Sequence, residues 1–532
     1  LIHPEQRTVT QQQNRQTLIH QVIVTSGQMS AIEGRLFAAG MPVAALMEKV
    51  AQAIFHRLIA LYPRPRVQRV GVLVGPGHNG GDALVVAREL HFAGYEVLIY
   101  RPLAKCKDLT GKHGQYVASL GVEFVDQIEP LLDCDLIVDG LFGFGLERAI
   151  SGEIAQGIDR LNEQSQPAIS IDLPSGLHTD TGAVLGTAIQ ATHTFCLGLW
   201  KLGLFHDQAL AYVGKPELID FDIPLADIQA VLGDRHPIHR ITSTVALAHL
   251  PLPRPQLTHK YKEGHLLAIC GSQRYMGAAL LCGLGAKASG VGMLTIAVPK
   301  SLKPYMSQQL ADALIVGCPE TASGAIADLP DSIDLSSFDA IACGCGLTLD
   351  AMAVVQAVLA SDRPLILDAD GLNALARLGT IPTLSQREAF TLLTPHPGEF
   401  KRLFPEVQEE AEDLVRAVRR ASEESGAVVM LKQARTAIGY RDGSVWINPE
   451  STPALARGGS GDVLTGLSSG LMAQAIARKI PLEPLVQTAV WWHAQAAISA
   501  AGVRTELGVD AVTLSEYLLK VLPQLVRSGN DL

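Results

Sequence analysis

Short apolar runs that end in a glycine-rich loop and reopen as a helix recur in both halves of this 532-residue chain. That alternation restricts the fold more than any other feature. Val70–Val74 leads into Gly75-Pro76-Gly77-His78-Asn79-Gly80-Gly81-Asp82 and a helix through about Phe92. Val97–Tyr100, Leu136–Val138 and Ala168–Ile171 continue the pattern, the last two ending at Asp139 and Asp172. Short apolar strands alternating with helices predict an α/β fold with a parallel sheet covered on both faces. Runs this short, flanked by Gly or Pro, read as strands rather than buried helix segments.

The length predicts two or three domains. The pattern breaks where Pro224, Pro237, Pro251, Pro253 and Pro255 cluster, which predicts a boundary near residue 240. The expected layout is a polar tail (1–24), a first domain (25–238), a Pro-rich linker (239–256) and a second domain (257–532). Ser30-Ala31-Ile32-Glu33 reads as a capping box opening a helix that ends near Gly40. The second half is predicted to carry strands at His265–Cys270, Met293–Val298, Ala340–Cys343, Pro364–Leu367, Thr391–Leu393 and Val428–Leu431. Its helices are expected at Ala278–Ala288, Ala351–Leu359, Glu406–Ser425, Asp462–Ala477 and Leu482–Ala501.

The net charge of −10 argues against a nucleic-acid or anionic-membrane surface. No apolar run approaches the roughly 18 residues of a membrane span. The eight cysteines are scattered without a CxxC pair, which predicts free thiols in a reducing compartment. Leu1 to Gln21 is polar and resembles neither a signal nor a transit peptide. The expectation is a cytoplasmic protein with small-molecule partners, no nucleic acid and no membrane, assembled as a homo-oligomer.

Two glycine loops end in an aspartate at a helix mouth: Gly77 to Asp82, and Gly458-Gly459-Ser460-Gly461-Asp462. Glycines let backbone N–H groups approach a phosphate, and a helix N-terminus adds partial positive charge. An acid inside such an anion site is costly unless it does chemistry or holds a cation. Two active sites for phosphorylated molecules are therefore expected. Gly75, Gly77 and Gly80 spell G-x-G-x-x-G, but the second strand ends at Tyr100-Arg101 without the acid that a classical dinucleotide fold places there. Asn79, Asp82, Asp139, Asp172 and Ser175 all follow strand ends, where ligands sit in open α/β sheets; the plainer alternative is that they cap helices and close turns.

The motifs Gly77-x-Asn79-Gly80-Gly81-Asp82, Asp139-Gly140-Leu141-Phe142-Gly143-x-Gly145 and Asp172-x-Pro174-Ser175-Gly176 resemble the N-terminal domain of the NAD(P)H-hydrate epimerase family, with His78 where that family usually has Asn. The resemblance implies a Rossmann-like three-layer α/β/α sandwich. It implies that His78, Asn79, Gly80, Gly81 and Asp82, with Gly143, Phe144, Gly145, Leu146, Glu147, Arg148 and Ala149, hold the hydrate. It further implies that Asn79, Asp139 and Ser175 give oxygens to a potassium ion, and that Asp172 binds substrate and is the acid/base at C6 of the reduced nicotinamide.

Downstream, Gly277-Ala278-Ala279, Gly344-Cys345-Gly346-Leu347, Asp368-Ala369-Asp370-Gly371-Leu372-Asn373, Thr394-Pro395-His396-Pro397-Gly398-Glu399, Lys432-x-x-x-Thr436 and Gly459-x-Gly461-Asp462 resemble the ADP-dependent NAD(P)H-hydrate dehydratase family. Cys345 replaces its usual proline and Thr348 a glycine. This resemblance implies a ribokinase-like α/β/α sandwich, with Asp462 as the base. It implies that Ala278, Gly346, His396 and Asp462 face the hydrate (NADHX or NADPHX). Lys432, Gln433, Ala434, Arg435, Thr436 and Gly461 would bind the AMP part of ADP, with Mg2+ bridging its phosphates. The implied fused activity is epimerisation of hydrated NADH and NADPH followed by ADP-dependent dehydration. Two rivals stand: a hydroxyethylthiazole-kinase-like enzyme, which typically carries Asn-x-x-Glu where this chain has His396-Pro-Gly-Glu399, and a first domain that only binds a nucleotide or a partner.

Overall fold

The computed structural model describes residues 15–233, 238–410 and 413–530. The chain divides between His236 and Pro237 into two compact units. Residues 1–14 of the expected tail, and 411–412 within the helix expected at Glu406–Ser425, lie outside the described residues.

The first unit is built on a seven-stranded, wholly parallel sheet. In chain order the strands of this unit are β1 (Ile23–Val24), β2 (Arg69–Val74), β3 (Glu96–Tyr100), β4 (Glu123–Val125), β5 (Leu136–Gly140), β6 (Ala168–Ile171), β7 (His193–Leu197), β8 (Trp200–Lys201) and β9 (Lys215–Ile219). The large sheet runs β4-β3-β2-β5-β6-β7-β9. Val70, Val72, Leu73 and Val74 are all fully buried, as expected of a central strand with helices on both faces. Polar residues at His193, Lys215 and Glu217 conceal β7 and β9 from a search for apolar runs.

Two expectations are corrected in this unit. Residues 15–24 are not a free tail. Residues 15–21 are helical, Ile19 and Val22 are fully buried, and β1 pairs in parallel with β8. Arg15 forms an ion pair with Asp220. The capping box also lies elsewhere: Thr25 caps the helix Ser26–Ala38, with Gln28 as its reciprocal partner. Ser30 and Glu33 therefore sit inside the helix, and their side chains are released from any capping role.

The second unit carries β10 (Ile238–Arg240), β11 (His265–Ile269), β12 (Met293–Pro299), β13 (Leu314–Cys318), β14 (Ala340–Cys343), β15 (Leu365–Leu367), β16 (Thr391–Leu393), β17 (Val428–Leu431), β18 (Ala437–Gly439) and β19 (Val445–Ile447). Their order is β10-β19-β18-β17-β16-β15-β14-β11-β12-β13, parallel except for the antiparallel β17–β18–β19 meander. The expected linker 239–256 is therefore partly sheet: β10 adds to β19 in parallel, and Ile241 and Ala246 behind it are buried. The helix expected from Glu406 begins only at Leu414, capped by Asp413.

Two helices of this unit meet almost backbone to backbone, Met276–Ala288 and Ser460–Arg478. A Cβ on Gly466 would lie 1.9 Å from the Cys282 carbonyl oxygen, and one on Gly285 2.1 Å from that of Val463. Only glycine allows that approach, which fixes the mouth of the second helix against the first. Among the described residues, no helix is long and apolar enough to cross a membrane.

Candidate active sites

In the first unit the turn after β2 is held by direct backbone stacking. A Cβ on Gly75 would lie 1.6 Å from the Leu141 carbonyl oxygen, and one on Gly80 2.0 Å from the Gly75 carbonyl oxygen. This seats the N-terminus of the helix His78–Phe92 over the carboxyl ends of β2 and β5. A cavity of about 560 Å³ opens there. His78, Asn79, Asp82, Gly143, Phe144, Gly145, Leu146 and Asp172 line it together. Gly80 and Gly81 are buried behind that wall, while Glu147, Arg148 and Ala149 are exposed outside it.

Asp172 sits in the left-handed region at φ 71°, an unusual conformation for a non-glycine residue and one found disproportionately at functional sites. Its Oδ1 lies 2.6 Å from Lys201 Nζ, and both side chains are almost wholly buried. The backbone N–H of Phe144 donates to its Oδ2 at 3.1 Å and that of Leu197 to its Oδ1 at 3.2 Å. Burial disfavours the Lys201 ammonium, but Asp172 and its neighbours outweigh it and raise the lysine above its usual value. Two more carboxyls share the cavity. Burial, with Asp172 and Glu33 nearby, drives Asp82 well above the usual carboxylate range. Burial, opposed by Lys201 and reinforced by Asp172, lifts Glu33 to about 7.

Sequence reasoning missed Lys201 and Glu33. Lys201 is a lone cation in an apolar stretch, and its partner lies far back in the chain. The residues 15–24 that read as tail are what clamp it, since Val24 pairs with Lys201.

Asp139 and Ser175 lie beneath the cavity, fully buried. Asp139 accepts from the Ser170 and Ser175 hydroxyls at 2.8 and 2.5 Å and from the Ser175 and Leu141 N–H groups at 2.8 and 3.2 Å. Burial still pushes its carboxyl up, and among the described residues it has no cationic partner. Asn79 carries a buried amide nitrogen without a hydrogen-bond partner, and a half-turn about its terminal torsion would present the amide oxygen there instead. A buried acid without a counter-ion, a hydroxyl and an uncommitted amide make an oxygen set that fits a hard cation such as potassium.

In the second unit the loop of residues 458–462 enters the helix Ser460–Arg478 through Gly459 at φ 93°. Asp462 stands in the first turn. Its carboxyl and those of Asp368 and the Cys345 thiol place one ligand atom each within 4.8 Å of one another. Burial, then the nearby Asp368 carboxylate, raise Asp462 to about 6, against Cys345 and Lys432. Asp368 is held on both oxygens: Lys432 Nζ at 2.7 Å from Oδ1, and the Thr465 hydroxyl donating to Oδ2 at 2.7 Å. A thiol in the group is a soft donor ill suited to magnesium, so a magnesium ion would have to be carried chiefly by nucleotide phosphates.

Lys432, expected to bind the AMP part of ADP, is engaged with Asp368 directly beneath the loop, where a Cβ on Gly461 would lie 3.4 Å from its Nζ. Gly346, at φ 66°, abuts Ala278, whose Cβ would lie 2.8 Å from an added Cβ. His396 caps the helix Pro397–Leu403, its Nδ1 accepting from the Gly398 N–H at 3.0 Å, while Glu399 accepts from the His396 N–H at 2.9 Å. Of the other expected nucleotide contacts, Ala434 is exposed, and Gln433, Arg435 and Thr436 are half-buried on the same turn. His493, also missed in sequence, touches the Ser460 carbonyl through Nε2 at 3.0 Å and is pushed down to about 4 by burial. A neutral imidazole therefore supports the loop from below.

Two family profiles match the chain: that described as YjeF-related protein N-terminus over residues 43–203, and that described as NAD(P)H-hydrate dehydratase over residues 266–520. The bifunctional NAD(P)H-hydrate repair enzyme of Synechocystis sp. is 52% identical over 502 residues, covering 94% of this chain and 95% of that protein. The protein of the same name from Thermosynechococcus vestitus is 52% identical over 500 residues, 94% of this chain and 97% of its own. Among solved structures, an ADP/ATP-dependent NAD(P)H-hydrate dehydratase from Bacillus subtilis co-crystallized with ATP/Mg2+ is 32% identical, covers 53% of this chain and 97% of its own, and aligns with a TM-score of 0.46.

Proposed function

The chain belongs to the bifunctional NAD(P)H-hydrate repair enzymes, and from that premise we propose how each of its two sites performs one step of restoring hydrated NADH and NADPH. The first unit interconverts the R and S hydrates at C6. The second removes water from the S hydrate at the expense of ADP. The observation that carries this reading is the pairing of each catalytic aspartate with a buried, lysine-bearing polar group on its own unit: Asp172 with Lys201, and Asp462 with the Asp368–Lys432 pair.

In the second unit Asp462 takes the proton of the C6 hydroxyl, whose oxygen attacks the β-phosphorus of ADP as AMP leaves. The phosphate ester then departs with the C6–O electron pair. The ring nitrogen lone pair assists, the departing phosphate takes the C5 proton, and the C5=C6 bond returns. A pKa near 6 leaves Asp462 ionised at neutral pH yet more basic than an ordinary aspartate. The loop N–H groups and helix N-terminus stabilise the transferring phosphoryl group. Gly461 and residues 432–436 hold the AMP portion, Ala278, Gly346 and His396 the hydrate. Magnesium, when bound, supplies charge neutralisation on the phosphates.

In the first unit the backbone of residues 77–82 and 143–146 cradles the hydrate's phosphates and sugars. Asn79, Asp139 and Ser175 would hold a potassium ion, which would supply the charge that neutralises the buried acid beneath them. A cytoplasmic homo-oligomer completes the reading. The test is incubation of the full chain with separated hydrate epimers plus ADP or ATP, following recovery of reduced-nicotinamide absorbance. Recovery from both epimers with release of AMP supports it. A stable phosphorylated product would favour the kinase alternative.

A further inference from the structure

We propose that Glu33 is the second acid–base group of the first unit, working with Asp172 from a different wall of the same cavity so that water leaves C6 from one face and returns to the other. The proposal rests on the epimerase reading above and names the group that reading lacks.

Inverting a carbinol carbon next to a ring nitrogen by loss and return of water requires chemistry on both faces. One group must protonate the departing hydroxyl. Another must take a proton from the water that replaces it. Asp172 alone supplies only one of the two. Its lysine partner Lys201 is held by Asp172 and by the Leu197 carbonyl oxygen, which fixes the Asp172 carboxylate on one face of the cavity.

Glu33 has the properties the second group needs. It lies within the helix Ser26–Ala38, whose cap is Thr25, so it has no structural duty at the helix end. It lines the cavity together with Asp172, Asp82 and Lys201 but comes from a helix, whereas Asp172 comes from the end of β6. Among the described residues its side chain makes no hydrogen bond and no ion pair. An acid placed in a cavity without a partner is costly unless it is protonated or used. The charges facing it are Asp172 and Lys201 from the sheet side, Asp82 and His78 from the helix His78–Phe92, and Lys107 from the loop after β3. Burial and Asp172 hold Glu33 near pH 7, where it both gives and takes a proton.

The step balances. Glu33 gives its proton to the C6 hydroxyl, the C6–O bond breaks, and its electron pair leaves with water. The ring nitrogen lone pair forms C6=N1⁺. A water attacks C6 from the opposite face, and Asp172 takes its proton. The enzyme now holds its proton on Asp172 and processes the opposite epimer, or it resets through solvent. No oxidant or reductant is required.

The experiment uses the full chain and both hydrate epimers. In H2 18O, wild-type enzyme is expected to place one 18O at C6 for each inversion. Inversion with retention of the original oxygen overturns the proposal. Glu33→Gln is expected to lower kcat for epimerisation by about 10²–10⁴-fold with KM within about threefold, and to abolish the pH limb near 7. Glu33→Asp is expected to restore part of the rate. An unchanged denaturant midpoint read at Trp200, the tryptophan of the first unit, reports that the variant is folded there. Epimerisation by Glu33→Gln within threefold of wild type, or loss of the limb in Asp82→Asn while Glu33→Gln keeps it, overturns the proposal. Absence of epimer exchange in the wild type would instead remove the epimerase reading itself.

Discussion

Lys432 Nζ lies 2.7 Å from Asp368 Oδ1, under the loop that carries Asp462. The pair is one charge-balanced unit: burial opposes the ammonium, and Asp368 more than restores it, so Lys432 stays charged above its usual range. On the proposed reading, a nucleotide phosphate arriving at this loop would meet a lysine whose position the Asp368 carboxylate already sets.

Lys432→Met should leave the Asp368 carboxylate, only 3% exposed, without its counter-charge. Breaking one side of such a buried pair costs about 3–5 kcal/mol. The double variant Lys432→Met with Asp368→Leu should recover a large part of that loss. Denaturant titration reads the effect separately for the second unit, which holds Trp446, Trp491 and Trp492, while Trp200 reports the first.

Asp462→Asn should abolish ADP-dependent recovery of reduced nicotinamide, by about 10²–10⁴-fold in kcat, while R and S hydrates continue to exchange. Chromatographic separation of the epimers after timed incubation measures both rates in one sample. Dehydration at near-normal rate would remove Asp462 from its role as base.

The same residue sets a pH dependence. Its carboxyl is raised from 3.8 to about 6 by burial, so the folded state binds this proton more tightly than the unfolded chain. Ionised Asp462 therefore lowers stability above about pH 6, and the cost disappears below about pH 4. Asp462→Asn should stabilise the second unit by about 1–3 kcal/mol at pH 8 and by nothing measurable at pH 3.5. Dehydratase activity in the wild type should fall on acidification with a midpoint near pH 6. Equal stabilisation at both pH values would show that the carboxyl is not perturbed by the fold.

Gly75→Ala should collapse the first site and spare the second. The added methyl would lie 1.6 Å from the Leu141 carbonyl oxygen, and backbone cannot move aside as a side chain does. Loss of epimer exchange by more than about tenfold, with S-hydrate dehydration unchanged, is expected, since even small misplacement of positioning groups costs about 10²-fold. A fully active variant would mean that the β2 turn relaxes without consequence.

What sequence alone conveyed is the part of the molecule written in local runs. Val70–Val74, Leu136–Val138 and Ala340–Cys343 are strands because their apolar residues are contiguous, and the loops at 77–82 and 458–462 are legible because glycine spacing is local. Strands with polar residues, such as Lys215–Ile219, are held by their neighbours in the sheet rather than by their own pattern. The short β10 escaped for the opposite reason: the prolines around it read as linker. Lys201 and the pairing of Asp368 escaped because their partners are distant in the chain, and Glu33 because the cavity it lines is assembled from distant segments. Asp368 meets Lys432 and Thr465 only once β15, β17 and the helix Ser460–Arg478 are assembled. Glu33 was further disguised, since Ser30-x-x-Glu33 mimics a cap that Thr25 supplies instead.

The three residues Ile238–Arg240 have a practical consequence for anyone separating the two activities. They shield the flank of Val445–Ile447, and just beyond them Thr242 caps a short helix whose Ala246 carbonyl receives the Thr488 hydroxyl. A dehydratase half started at residue 257 would bare that strand to any passing chain and strip a hydrogen bond from the heart of the helix Glu483–Arg504. Cutting at the end of the prolines is thus a recipe for aggregates, and the scissors belong before residue 238.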